Sequence, residues 1–475
     1  SRTVRTAAGE VVEEKRVYDR YGRLAKISSF GRSVRFAYDR RGRLARQTID
    51  GTPIDFVYTK YGQLAGKYLG GRDKPDAAVA YEYSKSGQIV ARTANGVRQT
   101  YAYDGRGQLL AVREGGADVE RYVYDKAGNM LRKTVRGKTT AFAFDGANQL
   151  VSSTTDGETT RYAYDAAGRL VKEGNRTYRY GWLDKVLAVT EGERKYTYDY
   201  HVDGQLARAD YGDGTAEDFV WDGLALIRRG DEQFVNEPHI GGGAPVLASS
   251  GTAYFNDILG TTLGVKTKGR KYAATLPTAF GEGDAAFFTG KPLVPGLGRA
   301  FLFRNYRPDL AKWQTADPTD YCDGFNQFSY CRNSPVTAFD VYSLWTVQLG
   351  IYGFAGASTG GTVSLGIALG FSWSDGFTCG FYYNGGVGSE IGAGGSAGIV
   401  IQISNSKNVA ELAGQAISVG VSGGEIVVFG FETVIPLNIG ETGYWGFDFS
   451  VGVGGGTPLE GHAIYNYTGF FKVYE

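Results

Sequence analysis

An aromatic residue, usually followed by Asp, then a short Gly-bearing turn and an aliphatic residue, recurs ten times in the first 230 residues at a step near twenty. The clearest copies run Tyr18-Asp19 to Leu24, Tyr38-Asp39 to Leu44, Tyr103-Asp104 to Leu109, Tyr124-Asp125 to Met130, Phe144-Asp145 to Leu150 and Tyr164-Asp165 to Leu170; Tyr58, Tyr83, Tyr198 and Trp221 head degenerate copies. A fixed period of this kind marks units that cannot bury a core alone and must stack.

Within a copy, aromatics at i and i+2, as in Phe36/Tyr38, Tyr101/Tyr103 and Tyr162/Tyr164, place both rings on one face of a strand. The following Asp accepts hydrogen bonds from its own turn, and the Gly three residues on supplies a positive φ. One repeat is therefore a β-hairpin. An isolated hairpin is marginal in water, so successive hairpins are expected to pair edge to edge into one sheet with an aromatic face, curling as twisted sheets do.

These residues resemble the Rhs/YD-repeat proteins, a family that includes bacterial polymorphic toxins, shell subunits of insecticidal toxin complexes and animal teneurins. The resemblance continues through Asp257-Ile258-Leu259-Gly260-Thr261, Phe280-Gly281-Glu282, Phe288-Thr289-Gly290-Lys291, Arg304-Asn305-Tyr306, Trp313 and Asp317-Pro318, and on to Pro335-Val336 and Asp340, which together look like the Rhs-associated core. It implies an all-β protein whose hairpins wind into a spiralling shell (1–253), a core that closes the shell (254–344), and an encapsulated C-terminal effector (345–475). It also implies secretion or cell-surface delivery by a dedicated machinery, with an immunity protein as a further partner. The competing class is a cell-surface interaction protein built in the teneurin manner, with a structural scaffold and an adhesive tail.

At 475 residues the chain exceeds the usual size of one domain. Its net charge of +1 hides an asymmetry: residues 346–475 hold two basic and nine acidic residues, so a slightly basic shell would hold an acidic cargo. Cys322, Cys331 and Cys379 are too few and too irregularly spaced for a disulfide framework or a zinc site, and read as buried thiols. His201 and His239 are isolated, so no metal is expected, and no cofactor is implied. The Arg-rich opening, Arg16 through Arg46, reads first as a solvated face. No apolar run reaches the length of a transmembrane helix, and the Ser1 start with Met130 as the lone methionine points to a piece of something longer.

In many relatives the core ends in Asp-Pro-x-Gly-Leu, and the resemblance implies a self-cut just after that segment by a pair of aspartates. Here the stretch reads Asp340-Val341-Tyr342-Ser343-Leu344-Trp345, without the Pro and the Gly. Two carboxylates sharing a proton can activate a water and protonate a leaving amine. The candidate pair is Asp340 with Asp323, cutting near Leu344–Trp345; Asp317 and Asp320 are the alternative partners. Each of these Asp residues can equally serve as a turn cap.

After Trp345 the sequence holds 30 glycines and no Arg, and apolar residues alternate with small ones, as in Val363, Leu365, Ile367, Leu369, Phe371 and Trp373. Such dyads predict an antiparallel β domain, barrel or sandwich, with a helix only over 406–415. The pattern also fits a membrane barrel, which makes pore formation in a target membrane one expectation and a soluble binding domain the other. Two lysines and no arginine argue against a nuclease, and no nucleic-acid partner is expected. Gly-x-Ser-x-Gly matches centred on Ser358, Ser396 and Ser422 lack the strand–turn–helix context of a hydrolase.

Overall fold

A computed structural model describes the chain with side chains over residues 12–240, 242–318 and 325–340, and as backbone over 2–5, 346–347 and six strands between Phe354 and Lys472. The chain divides into two units, the first holding residues 1–317 and 323–347, the second 318–322 and 348–475.

The first unit is an antiparallel meander. From Arg2–Arg5 to Ala273–Ala274 each strand pairs with the next, giving a sheet of 28 strands among the described residues. The repeat explains the register. Strand Arg32–Tyr38 pairs with Leu44–Ile49 so that Tyr38 faces Leu44, with a bulge between Ala37 and Tyr38; the same offset recurs at Tyr18/Leu24, Tyr103/Leu109 and Tyr164/Leu170. The turn between them is built as the sequence predicts. Asp19 Oδ1 accepts from the backbone N–H of Tyr21 and Arg23, at 2.8 and 3.0 Å, and Gly22 takes φ +76°.

Two copies sit differently from their reading. Tyr200, not Tyr198, faces Leu206 at the head of its repeat, and Tyr180, which the period skipped, faces Val186. Alternation of Tyr196, Tyr198 and Tyr200 leaves the register open by two, and the short strand Leu170–Glu173 shortens the preceding step.

The inner ring of each pair is buried: Phe36, Tyr81, Tyr101, Tyr122, Phe142, Tyr162 and Tyr178 line one continuous apolar cluster that runs from Ile27 to Val336. The outer ring ties repeats together. Tyr38 donates its hydroxyl to the carbonyl of Leu24 at 2.9 Å, Tyr58 to Leu44 at 2.8 Å, Tyr103 to Ile89 at 2.8 Å and Tyr124 to Leu109 at 2.9 Å, while Trp221 does the same to Leu206 with its indole N–H at 2.8 Å. Each bond ends on the carbonyl of the residue that opens the second strand of the preceding hairpin, beside that hairpin's bulge.

The sheet winds back on itself. Val12 packs with Val220 and Ile227, Arg32 donates to the carbonyl of Ser249, and Tyr38 meets His239, so the first repeats lie beside residues 220–249. Against the aromatic face packs an irregular segment, residues 277–317 with 325–340, carrying a five-stranded sheet of short strands from Phe287–Phe288 to Lys312–Trp313. Its anchors are aromatic and ionic: Phe280 on Tyr122, Phe328 on Tyr164, Arg307 on Glu173 and Lys133 on Glu282. A second cluster of Phe288, Phe301, Tyr306, Trp313 and Tyr330 lies inside the segment itself.

The second unit is a six-stranded antiparallel sheet, with strand Gly376–Ser404 pairing along its length with Phe354–Ser372 and, in succession, with Glu460–Lys472 and Gly446–Gly456. The helix expected over 406–415 lies outside the described residues up to 413, and Gly414 and Gln415 already open strand Gly414–Gly423.

Candidate functional site

Arg304 follows the short strand Gly298–Ala300 and is almost wholly enclosed, its guanidinium stacked on Trp313 with 4.4 Å between charge centre and ring centroid. Nη1 donates to the carbonyl of Gln327 at 2.9 Å. Nη2 lies 2.8 Å from Asp317 Oδ2 and 3.6 Å from Asp340 Oδ2, and all three side chains are buried to 2% exposure or less. Two carboxylates thus share one guanidinium nitrogen in a dry setting, where charge–charge and charge–dipole interactions are strongest.

Asp340 ends strand Phe339–Asp340, which pairs antiparallel with Thr346–Val347 so that Asp340 faces Thr346. Residues 341–345, with the expected cut at Leu344–Trp345, join these strands and lie outside the described residues, as do Asp320 and Asp323. Of the expected carboxylates, the structure therefore brings together Asp340 and the alternative partner Asp317.

Sequence reasoning passed over the basic members. Arg304 and Lys291 were visible only as motif letters, in Arg304-Asn305-Tyr306 and Phe288-Thr289-Gly290-Lys291. Lys291 donates to the carbonyls of Leu224 and Gly242, at 2.8 and 3.2 Å. Burial drives its ammonium down to about 7, and the charge of Asp340 pushes it partly back. The signal that could have found both is a charged residue inside an apolar, aromatic-rich motif, since such a charge is kept only where it has partners.

His239 is taken by Glu237 Oε1, 2.9 Å from Nδ1, and His201 Nε2 lies 3.4 Å from the carbonyl of Phe219; no metal-binding cluster occurs among the described residues. Cys331 is buried and forms no disulfide, while Cys322 and the side chain of Cys379 lie outside the described residues.

The RHS Repeat family matches residues 18–53 and the Teneurin YD-shell family residues 68–222. No curated protein matches the sequence. Among solved structures, the TcdB2-TccC3-TEV crystal structure is 15% identical with a TM-score of 0.52, covering 70% of this chain and 22% of its own. A Tc holotoxin pore from Photorhabdus luminescens carrying a TccC3 substitution is 15% identical with a TM-score of 0.52, covering 72% and 21%. TcdB2-TccC3 without its hypervariable C-terminal region is 14% identical, also at 0.52, covering 70% and 22%. The chain thus spans about a fifth of the length of the solved chains it matches, and the likeness is one of fold. The wound meander, its aromatic register and these matches agree: residues 18–53 and 68–222 match the RHS Repeat and Teneurin YD-shell families, and the chain shares the fold of the Tc toxin shell structures.

Proposed function

We propose that this chain is a shell that carries its Gly-rich C-terminal region as an effector for antagonism between cells, and frees it by an aspartate-dependent cut near Leu344–Trp345. The observation that carries the reading is the buried Arg304–Asp317–Asp340 group, which stands immediately before the change of composition at residue 345. Of the candidate partners of Asp340, Asp317 supports the reading by its place beside Arg304, while Asp323 lies outside the described residues. In the cut, one carboxylate takes a proton from water, the resulting hydroxide adds to the Leu344 carbonyl carbon, and the other carboxyl protonates the Trp345 nitrogen as the C–N bond breaks. Arg304 orients both groups and keeps the one that acts as base ionised. The TccC3 chain of one neighbour is described as having a hypervariable C-terminal region, and a glycine-rich segment after a shell of the same fold fits that arrangement. Delivery machinery and an immunity protein would be its partners, and a target membrane the site of action if the region forms a pore.

The test is the full chain on a denaturing gel with N-terminal sequencing. Two fragments, the smaller beginning at or next to Trp345, are expected, with Asp340→Asn and Asp317→Asn each leaving the chain whole. A whole wild-type chain would sink the self-cut. Expression of residues 345–475 in bacterial cytoplasm and periplasm then asks about the effector: growth arrest supports it, and dye leakage from vesicles identifies a pore. Indifference in both compartments favours the second reading, an extracellular adhesive protein, which the Teneurin YD-shell match over residues 68–222 supports.

A further inference from the structure

A meander reverses at every strand, so alternate turns share an edge. The Asp-x-x-Gly turns and their equivalents, from residues 19–23 to 201–205, all lie on one rim of the sheet, and the intervening turns, such as Asp50-Gly51 and Asp156-Gly157, lie on the other. Neighbouring tips on a rim are two strands apart, about 9–10 Å.

The first rim is unlike an ordinary solvated edge in three ways. The five most exposed large apolar side chains among the described residues are Val202 (95%), Phe325 (81%), Tyr61 (78%), Trp182 (71%) and Tyr21 (65%). Four of them are tips of this rim, and Phe325 joins it through its carbonyl, which accepts from Asn148 in the turn after Asp145. Secondly, the early tips are cationic: Arg20, Arg40, Arg41, Lys60 and Lys85 are all exposed, and none forms an ion pair, whereas Arg23 and Arg43 at the base of the same turns are paired with Asp19 and Asp39. Thirdly, where Lys60 and Lys85 stand, the turn has exchanged its Asp for Thr59 and Ser84, whose hydroxyls still accept the turn bond from Gln63 and Gln88 at 3.2 and 3.1 Å. The turn keeps its acceptor and sheds its negative charge. Arg16, in the strand that leads to the first of these turns, and Asp203, in the last of them, line one cavity, so the winding brings the first and last repeats of the row together.

We propose that this rim docks on an anionic lipid bilayer, with the aromatic and aliphatic tips seated among the headgroups and the cations on lipid phosphates. Tyr and Trp are amphipathic and settle at that depth, and unpaired Lys and Arg beside them are drawn by the negative surface. A single-stranded nucleic acid fits less well. It needs a concave track and free ring faces, whereas these tips are convex and Arg20 and Lys60 already cover the rings of Tyr21 and Tyr61, at 4.7 and 4.9 Å. The proposal stands apart from any pore made by the C-terminal region, because it assigns membrane contact to the repeats.

The experiment is co-sedimentation of the full chain with phosphatidylcholine vesicles with and without phosphatidylglycerol. Binding is expected only with phosphatidylglycerol, and is expected to fade as salt rises. Arg40→Ser with Arg41→Ser should weaken it about tenfold or more. The double variant Lys172→Ser with Arg179→Ser, which removes equal charge from exposed strand sites away from the rim, should leave it unchanged. Trp182→Ser with Val202→Ser should weaken binding at high salt most, where the apolar contribution dominates. Thermal unfolding of each variant at the wild-type temperature shows that the fold is intact. Absence of wild-type binding, equal loss in both charge variants, binding unaffected by any rim variant, or preference for an oligonucleotide over vesicles would each overturn the proposal.

Discussion

Lys312 shows how a buried charge is tolerated in this fold and what it costs. Its ammonium lies over the rings of Phe144 and Phe328, at 4.6 and 4.9 Å, and burial drives it down to about 7, with Asp145 pushing the other way. Among the clear copies of the repeat, Phe144 alone lacks the hydroxyl, and its ring carries the ammonium instead. The Phe was legible in the sequence, but its reason was not, because the residue that needs a bare ring comes some 170 positions later. The linkage has a definite sign. Below about pH 7 both folded and unfolded chains hold the proton and the burial penalty is complete; between about 7 and the ordinary 10.5 the unfolded chain binds more protons, so stability rises with pH. Lys291, at about 7, and Lys185, at about 8, act in the same direction. Lys312→Met keeps the stem packed and drops the charge. It is expected to raise the urea midpoint near neutral pH and to narrow the difference between neutral and alkaline midpoints; an unchanged difference would show that Lys312 is solvated in the folded protein.

At the turns headed by Asp19, Asp39 and Asp165 one carboxylate accepts three bonds. In strand pair Glu158–Tyr164 and Leu170–Glu173, Asp165 Oδ1 accepts from Ala167 and Arg169 backbone N–H at 3.0 and 3.1 Å, and Oδ2 from Arg169 Nε at 2.7 Å. Asp165→Ala is expected to cost about 1–2 kcal/mol, by the usual net worth of such bonds. Asp165→Ser should recover about half, because Thr59 and Ser84 close the same turn with a hydroxyl; chemical denaturation of the two variants gives the comparison. Equal losses would mean that the Arg169 pair, not the turn backbone, is the stabilising element. Local chemistry of this kind is what made the hairpins readable, since turn residue, positive-φ glycine and ring alternation lie within ten residues of one another. The candidate site was only half readable for the converse reason. Asp340 stood out beside the composition change, but its grouping with Asp317 and Arg304 depends on how an irregular segment folds across the aromatic face, and no period encodes that.

A wound sheet with an aromatic inner face is stable only if something fills that face, and residues 277–317 with 325–340 do so through a few buried charges as well as rings. Arg307 joins the segment to the sheet by a two-pronged contact, Nη1 to Glu173 Oε2 at 2.7 Å and Nη2 to Glu173 Oε1 at 2.8 Å, with both side chains largely enclosed. Burial alone would raise the Glu173 carboxyl, but the hydrogen bond and charge of Arg307 outweigh it and hold the carboxyl below its ordinary value. A depressed carboxylate contributes stability above the unfolded-state value and loses it as pH falls through the lower folded one, so this link is expected to weaken as pH drops below the ordinary carboxylate range. Arg307→Met strands a buried carboxylate and is expected to cost about 3–5 kcal/mol, while Arg307→Met with Glu173→Met should cost clearly less than the two single losses together. Arg307→Met alone is expected to raise the Glu173 carboxyl, because burial is then opposed chiefly by the Tyr178 hydroxyl, and a pH titration followed by NMR reads that directly. If the losses simply add and the Glu173 titration does not move, the segment is held by its rings alone, and the ionic contacts are only a consequence of its position.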